Sequence, residues 1–324
     1  MFDYCGSLIK IHTLIDDEKC FDAIRKIRWP YGVHCPRCRS NKIRKQGHKR
    51  NQPYRHKYQC MKCRLWFDDL TGTVFVGHHQ PIRTWIMCLY LMGLNLSNQQ
   101  IAQELDLNKD DCQEMTDILR NGVNETKPKV KLFDDVECDE VYIIAGHKGY
   151  PIVVKKLGRK GRRNRLKGER GRGTLEKEKP PIFGMIQRNG DISIMMLANV
   201  KQETIEPLIR STIVAGSHIF TDEYDIYYRL SQWGYSHSTV CHANGEYARD
   251  DDGDGFHEVH VNTIEGFWSL LRSWLRPHRG ISQEKLPIYL GFFEYVHNVR
   301  RRGKAVLGSL LGLLLVRQPA VQNA

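Results

Sequence analysis

No stretch of this chain is long and apolar enough to cross a bilayer. The longest apolar run, Ala305 to Val316, falls short of the ~20 residues a spanning helix needs and reads as a buried or oligomer-facing helix. The first thirty residues lack the apolar h-region of a secretory signal, which predicts a cytoplasmic, nucleoid-associated protein in a reducing compartment. Disulfides are then not expected, and the ten cysteines become thiols or metal ligands. Acidic residues are also in short supply: 37 Asp and Glu stand against 49 Lys and Arg, for a formal net charge of +12. Most of the excess sits between His147 and Lys179, where 13 Lys and Arg oppose 3 Glu. Such a block reads as a solvated loop suited to a polyanion, which in a cytoplasmic protein means nucleic acid.

What is present begins with two paired-cysteine knuckles, Cys35-Pro-Arg-Cys38 and Cys60-Met-Lys-Cys63, separated by 21 residues. Each knuckle lets two sulfurs reach one ion, so the spacing predicts a four-thiolate zinc site with a β-ribbon between the pairs. Four protein ligands leave no position for water, so one structural zinc is expected. Lys42, Arg44, Lys45, Lys49, Arg50, Arg55 and Lys57 on the ribbon suit either contact with DNA or simple solubility. Before the ribbon, Cys20, Ile24 and Ile27 give an amphipathic helical lead-in ending at Trp29-Pro30. After it, residues 81–121 are helical in pattern. Pro81 opens a helix carrying Trp85, Leu89 and Met92, Ser97 to Gln100 reads as a capping box, and a break near Leu107-Asn108 precedes a further helix. Helix, tight turn and helix give the outline of a helix-turn-helix or of a plain bundle.

The character changes to strands after Lys127-Pro-Lys. Val136 to Ile144 is apolar on both parities, as in a central strand covered on both faces, but Asp139 and Glu140 interrupt it. Residues 182–187 and 192–197 flank the hairpin signal Arg188-Asn-Gly-Asp191. A helix is expected over 202–213, a strand at 217–221 ending at Asp222, a helix over 224–233 and a strand at 238–241. The next helix carries Ile264, Phe267, Trp268, Leu271 and Trp274 as an apolar stripe, with Glu265 at its edge and Arg272 two turns further on the same side. The order predicts an α/β domain with a mixed sheet and flanking helices. An ionised Asp in a doubly covered strand is expensive unless it is hydrogen-bonded or bound to a cation. Oxygen ligands of this kind suit Mg2+ or Mn2+.

In combination these features resemble Merlin-related bacterial insertion-sequence transposases. The likeness rests on the two knuckles, Leu70-Thr-Gly-Thr73 with Phe75, Trp85, Asp139-Glu-Val-Tyr142, Gly171-Arg-Gly-Thr174, Phe183-Gly184, Thr221-Asp222 and Asn262-Thr-Ile-Glu-Gly-Phe-Trp268. The resemblance implies an RNase H-like catalytic domain with a DDE triad at Asp139, Asp222 and Glu265. Those acids would hold two Mg2+ or Mn2+ ions, with Arg272 orienting phosphate. Asn262 is a rival to Glu265, because related elements can carry Asn as the third residue. Asp222 and Glu265 have 42 residues between them, whereas the 82-residue gap between Asp139 and Asp222 holds the basic insertion. The resemblance further implies binding of terminal inverted repeats and target DNA, strand cleavage and transfer, and a dimer or higher oligomer on DNA. The expected organisation is a lead-in over 1–30, a zinc ribbon over 31–76, a helical DNA-binding segment over 77–127, a catalytic domain over 128–303 with a basic insertion at 147–179, and a tail over 304–324. The rival from another class is a DNA-binding regulator whose nuclease-like domain is idle.

Overall fold

The computed structural model describes residues 16–156, 158, 173–241, 246, 248–251, 253, 255 and 257–315. Residues 159–172 of the expected basic insertion, including the first residues of the Gly171–Thr174 motif, lie outside them. The chain divides into two units, Met1–Lys127 with Arg302–Ala324, and Pro128–Arg301.

In the first unit, helix α1 (Asp17–Arg28) starts where the Asp16 side chain accepts from the Lys19 amide at 2.8 Å. Acids fill its first turn and bases its last, matching the helix dipole. Strands β1 (Ile43–Lys49), β2 (Gln52–Cys60) and β3 (Trp66–Asp68) form an antiparallel sheet in the order β1-β2-β3. The ribbon expected between the knuckles is therefore present. It closes on a small core of Trp29, Tyr58 and Phe67 around the cysteines. Helices α2 (Ile82–Gly93), α3 (Asn98–Glu104) and α4 (Lys109–Thr126) follow. The Ser97–Gln100 capping box is formed, and Asp106 turns the chain with a φ of 50° before Asn108 caps α4.

The second unit is built on a five-stranded sheet. Its strands are β4 (Asp135–Tyr142), β5 (Pro181–Gln187), β6 (Ile192–Met196), β7 (His218–Asp222) and β8 (Ser236–Val240), in the order β6-β5-β4-β7-β8. The short helix α5 (Pro151–Lys156) lies between β4 and β5, and α6 (Gln202–Thr212) between β6 and β7. Strand β5 runs antiparallel to both β4 and β6, while β7 runs parallel to β4 and β8 parallel to β7. This is the mixed, RNase H-like sheet with flanking helices that was expected. The hairpin after β5 turns through Asn189, whose φ is 56°. On one face of the sheet Val136, Cys138, Phe183, Met185 and Ile219 pack against Ile205 and Ile209 of α6.

The helix expected over 224–233 is not formed. Two 3-10 turns, Asp225–Tyr227 and Ser231–Trp233, occupy the segment instead. The buried residues there are Ile226, Tyr227, Leu230 and Trp233, a spacing that an α-helix and short 3-10 turns can both bury on one side.

The two-stranded ribbon of β9 (Ala248–Arg249) and β10 (Val259–His260) leads into α7 (Asn262–Leu275), followed by α8 (Leu286–Arg301). Helices α7 and α8 pack through Phe267 and Trp274 against Phe293, at ring separations of 5.5 and 4.9 Å. Helix α8 also covers the free edge of β6. Asn298 bonds both the amide and the carbonyl of Ile192 (2.9 and 2.8 Å), and Glu294 accepts from the Ile194 amide at 2.9 Å. Two side chains four residues apart on a helix thus take the place of another strand and satisfy an edge that would otherwise pair with other chains.

The chain then returns to the first unit as α9 (Val306–Leu314), within the segment expected as a tail. Its Leu307, Leu310, Leu311 and Leu314 are buried, and it packs on α1, α2 and α4. Gly122 permits the approach, since a Cβ there would lie 2.8 Å from the Leu314 side chain and 2.7 Å from that of Val74.

Candidate metal centre and candidate active site

The four cysteines converge as their spacing predicted. Their sulfurs all lie within 4.8 Å of one another, with 3.5 Å between Cys35 and Cys63 and between Cys38 and Cys60. A tetrahedral zinc with Zn–S bonds of ~2.3 Å sets sulfurs ~3.8 Å apart, so the donor set and spacing fit one structural zinc ion. Both knuckles share one backbone plan. The residue after the second cysteine, Arg39 or Arg64, is left-handed (φ 56° and 60°), and its amide bonds back to the carbonyl of the first cysteine. The Arg37 amide points at Cys35 Sγ and the Cys63 amide at Cys60 Sγ, at 3.4 and 3.5 Å. The Cys63 amide is the main reason the Cys60 thiol is lowered to about 6.

The ribbon's surface has one sign of charge. No Asp or Glu occurs between Tyr31 and Phe67, and Arg37, Arg39, Lys42, Arg44, Lys45, Arg50, Lys62 and Arg64 are exposed. The acids that follow are turned inward. Asp68 pairs with Arg55 at 2.8 Å, and fully buried Asp69 accepts from Arg25, the His56 amide and the Tyr58 hydroxyl. The helix-turn-helix outline differs. Exposed charged residues of α4 are Lys109 against Asp110, Asp111, Glu114 and Glu125, a face that repels phosphate.

In the second unit the alternation of β4 sorts its acids. Glu140 faces the α6 side, where its carboxylate accepts from the Tyr227 hydroxyl. Glu137 and Asp139 point to the other face, on which α7 packs. The parallel register pairs Asp135 with His218, Val136 with Ile219 and Glu137 with Phe220. Continued by two residues, the same offset of 83 sets Asp139 level with Asp222 on one face. Asp222 ends β7, half-buried, with its Oδ1 accepting from the Tyr224 amide at 3.1 Å. Glu265 is exposed in the first turn of α7, and Arg272 is exposed two turns beyond.

The carboxyl of Asp139 is raised from 3.8 to about 6. Burial is the main cause, and the negative charges of Asp222 and Glu265 add to it; the Trp268 indole and the Glu140 amide, which bond the carboxylate, oppose it. The three acids are therefore electrostatic neighbours, and their mutual repulsion is of the kind a divalent cation relieves. Their oxygens are not drawn together to coordination distance: among the described residues, the cysteines alone form a group of three or more Cys, His, Asp or Glu donors within 4.8 Å. Asn262 is exposed at the first position of α7, and its amide points to His260 Nδ1 at 3.3 Å.

Two features were not foreseen. Glu137, fully buried, accepts from Arg188 Nε (2.8 Å), the Thr263 hydroxyl (2.8 Å) and the Ile264 amide (2.9 Å). It thereby ties the first turn of α7 to the sheet. Arg188 in turn donates to the carbonyls of Glu258 and His260 at 2.7 and 2.8 Å and lies over the Phe220 ring at 3.9 Å. The pKa of His260 is lowered, by burial first and Arg188 second. Its neutral ring accepts at Nδ1 from Arg188. The second feature is Trp268, read as core, whose indole donates to Asp139 Oδ2 at 2.8 Å.

Residues 131–298 match the ISXO2-like transposase domain, and residues 15–65 match the transposase zinc-ribbon domain. An uncharacterized protein in transposable element ISH50 of Halobacterium salinarum is 30% identical over 310 residues, covering 94% of this chain and 99% of that protein. An uncharacterized transposase-like protein of Haemophilus influenzae is 26% identical over 104 residues, 32% of this chain and 78% of that protein. Among solved structures, a chain of the simian T-cell lymphotropic virus intasome in complex with PP2A regulatory subunit B56 gamma aligns with 72% of this chain and 76% of its own. Identity is 10% and the TM-score 0.26, too low to carry an argument.

Proposed function

The chain belongs to the ISXO2-like transposase family, and from that membership we propose that it cuts DNA at the ends of its own mobile element and joins the freed 3′ ends to a target. The observation that supports this best is Asp139, half-buried on the central strand level with Asp222 and charged against both Asp222 and Glu265. These three carboxylates would hold Mg2+ or Mn2+, which when bound activates water and stabilises the leaving 3′-oxygen of a phosphodiester. The protein's own contribution is placement. Strands β4 and β7 set two acids side by side, and α7, tied down through Glu137, brings up the third. Arg272, on the same side of α7 as Glu265, is suited to orient a phosphate beside them. No side-chain nucleophile is required, because phosphoryl transfer depends on position and charge.

The zinc ribbon is the better candidate for gripping DNA. Its exposed surface is uniformly basic, whereas the exposed charges of α4 are mostly acidic. Phosphate contacts from such a surface position the protein, and base contacts must supply the choice of sequence. Paired cutting of two element ends calls for a dimer or higher oligomer on DNA, and the finer kinship with Merlin-related elements belongs to the same proposal. The test is Mg2+-dependent nicking of a duplex carrying the element's inverted repeat, beside a scrambled duplex of the same length. The proposal expects nicking at the repeat boundary and little on the scrambled control. Equal cutting of both would indicate a general nuclease, and tight binding with no cutting a regulator.

A further inference from the structure

We infer that Trp268 is a positioning residue for Asp139, holding its carboxylate through the indole N–H, and that Gly184 is glycine to admit the ring. The inference rests on the reading of Asp139 as a metal ligand. Asp139 and Gly184 are direct partners in the β4–β5 register. The Trp268 ring lies across this pair. A Cβ at Gly184 would lie 2.4 Å from Cη2 and 2.7 Å from Cζ2 of the ring, and 3.2 Å from Ile264. Such contacts are not available to real side chains, so any other residue at 184 displaces the indole. With the strand bare at that point, the ring reaches over β5 and its Nε1 meets Asp139 Oδ2 at 2.8 Å.

The choice of side chain matters. Indole is donor-only and cannot rotate to present an acceptor, so its bond favours an ionised Asp139 with a fixed carboxylate plane. The ring itself has little freedom. Trp268 is 3% exposed, packs edge-on against Phe267 at 5.5 Å, and belongs to a helix whose first turn is tied to Glu137. Partners that orient a metal ligand in this way typically account for about 10–100-fold in metal affinity. Neither Trp268 nor Gly184 would touch substrate. Both act through Asp139.

The experiment is a Mn2+ titration of the full-length, zinc-loaded protein, read by the loss of the free-ion electron paramagnetic resonance signal, with thermal midpoints recorded alongside. Trp268→Phe keeps an aromatic side chain at the position and deletes the donor together with part of the ring. Gly184→Ala keeps the donor and pushes the ring away. Each is expected to weaken Mn2+ binding by about tenfold or more. Because both act on one contact, the double variant is expected to bind no more weakly than Trp268→Phe alone. Asp139→Asn is the control. If Asp139→Asn loses binding while a folded Trp268→Phe binds within twofold of the parent, the positioning role is overturned. If Asp139→Asn itself binds like the parent, the metal-ligand reading fails instead. Should Trp268→Phe fail to fold, Gly184→Ala gives the same decision.

Discussion

Ionised, Asp139 sits badly in the metal-free protein. Its folded-state pKa of about 6 lies above the 3.8 of a free carboxyl, so the folded state holds the proton more tightly than the unfolded chain. The sign follows from linkage: this group's contribution to stability is fully present below about pH 4, is lost as pH rises to about 6, and is absent above that. At about 1.4 kcal/mol per pKa unit, the loss by neutral pH is on the order of 3 kcal/mol. Asp139→Asn is therefore expected to be more stable than the parent at pH 8 without added magnesium, with the gain shrinking toward pH 4. Denaturant midpoints at the two pH values check this. A variant less stable than the parent at pH 8 would show that the carboxylate is satisfied without a cation. At this scale Asp139 was legible in the sequence, because an acid interrupting an apolar strand is conspicuous. Glu137 was not, although Val136-Glu137-Cys138 carries the same signal two residues earlier. The partners that explain Glu137 lie 51 and 126 residues away, and no local pattern announces them.

At the scale of elements, α7 is held to the sheet by two polar contacts from one face of β4: Glu137 to its first turn and Asp139 to Trp268. The helix cannot slide or rotate without breaking one of them. Removing one partner of a buried ion pair strands the other and costs about 3–5 kcal/mol. Glu137→Gln, which keeps the shape but leaves the Arg188 guanidinium without its charge partner, is expected to fall at the lower end of that range in urea unfolding. A loss below ~0.5 kcal/mol, the scale of an ordinary surface change, would mean that the node does not anchor the helix. Most elements were legible from periodicity. Strand β4, the β5–β6 hairpin, α6 and α7 lie within a few residues of where the pattern put them. The exception, 224–233, carries its apolar residues at a spacing that suits helix of either pitch until the core decides. The destination of α9 was equally hidden. A greasy C-terminal helix announces burial, but not that it returns to α1, α2 and α4.

At the scale of the molecule, charge is distributed by role. The basic residues crowd the ribbon and the segment after Tyr150, while the exposed charges of α4 are mostly acidic. Asp139 and Asp222 lie on one face of one sheet through an antiparallel-then-parallel strand order. That strand order was not readable from composition or spacing; it entered through the family resemblance, and the register then set Asp139 and Asp222 abreast. The third member of the proposed triad comes from a different element, so its identity, Glu265 or Asn262, turns on chemistry rather than on fold. The direct test is Mg2+-dependent cleavage of an end-containing duplex by the parent and by Asp139→Asn, Asp222→Asn, Glu265→Gln and Asn262→Ala proteins. The account predicts that each of the three acid variants loses at least ~10²-fold in rate, as when a group stabilising transition-state charge is removed, while Asn262→Ala cuts at close to the parental rate. Parental cleavage by Asp139→Asn and Asp222→Asn would contradict it.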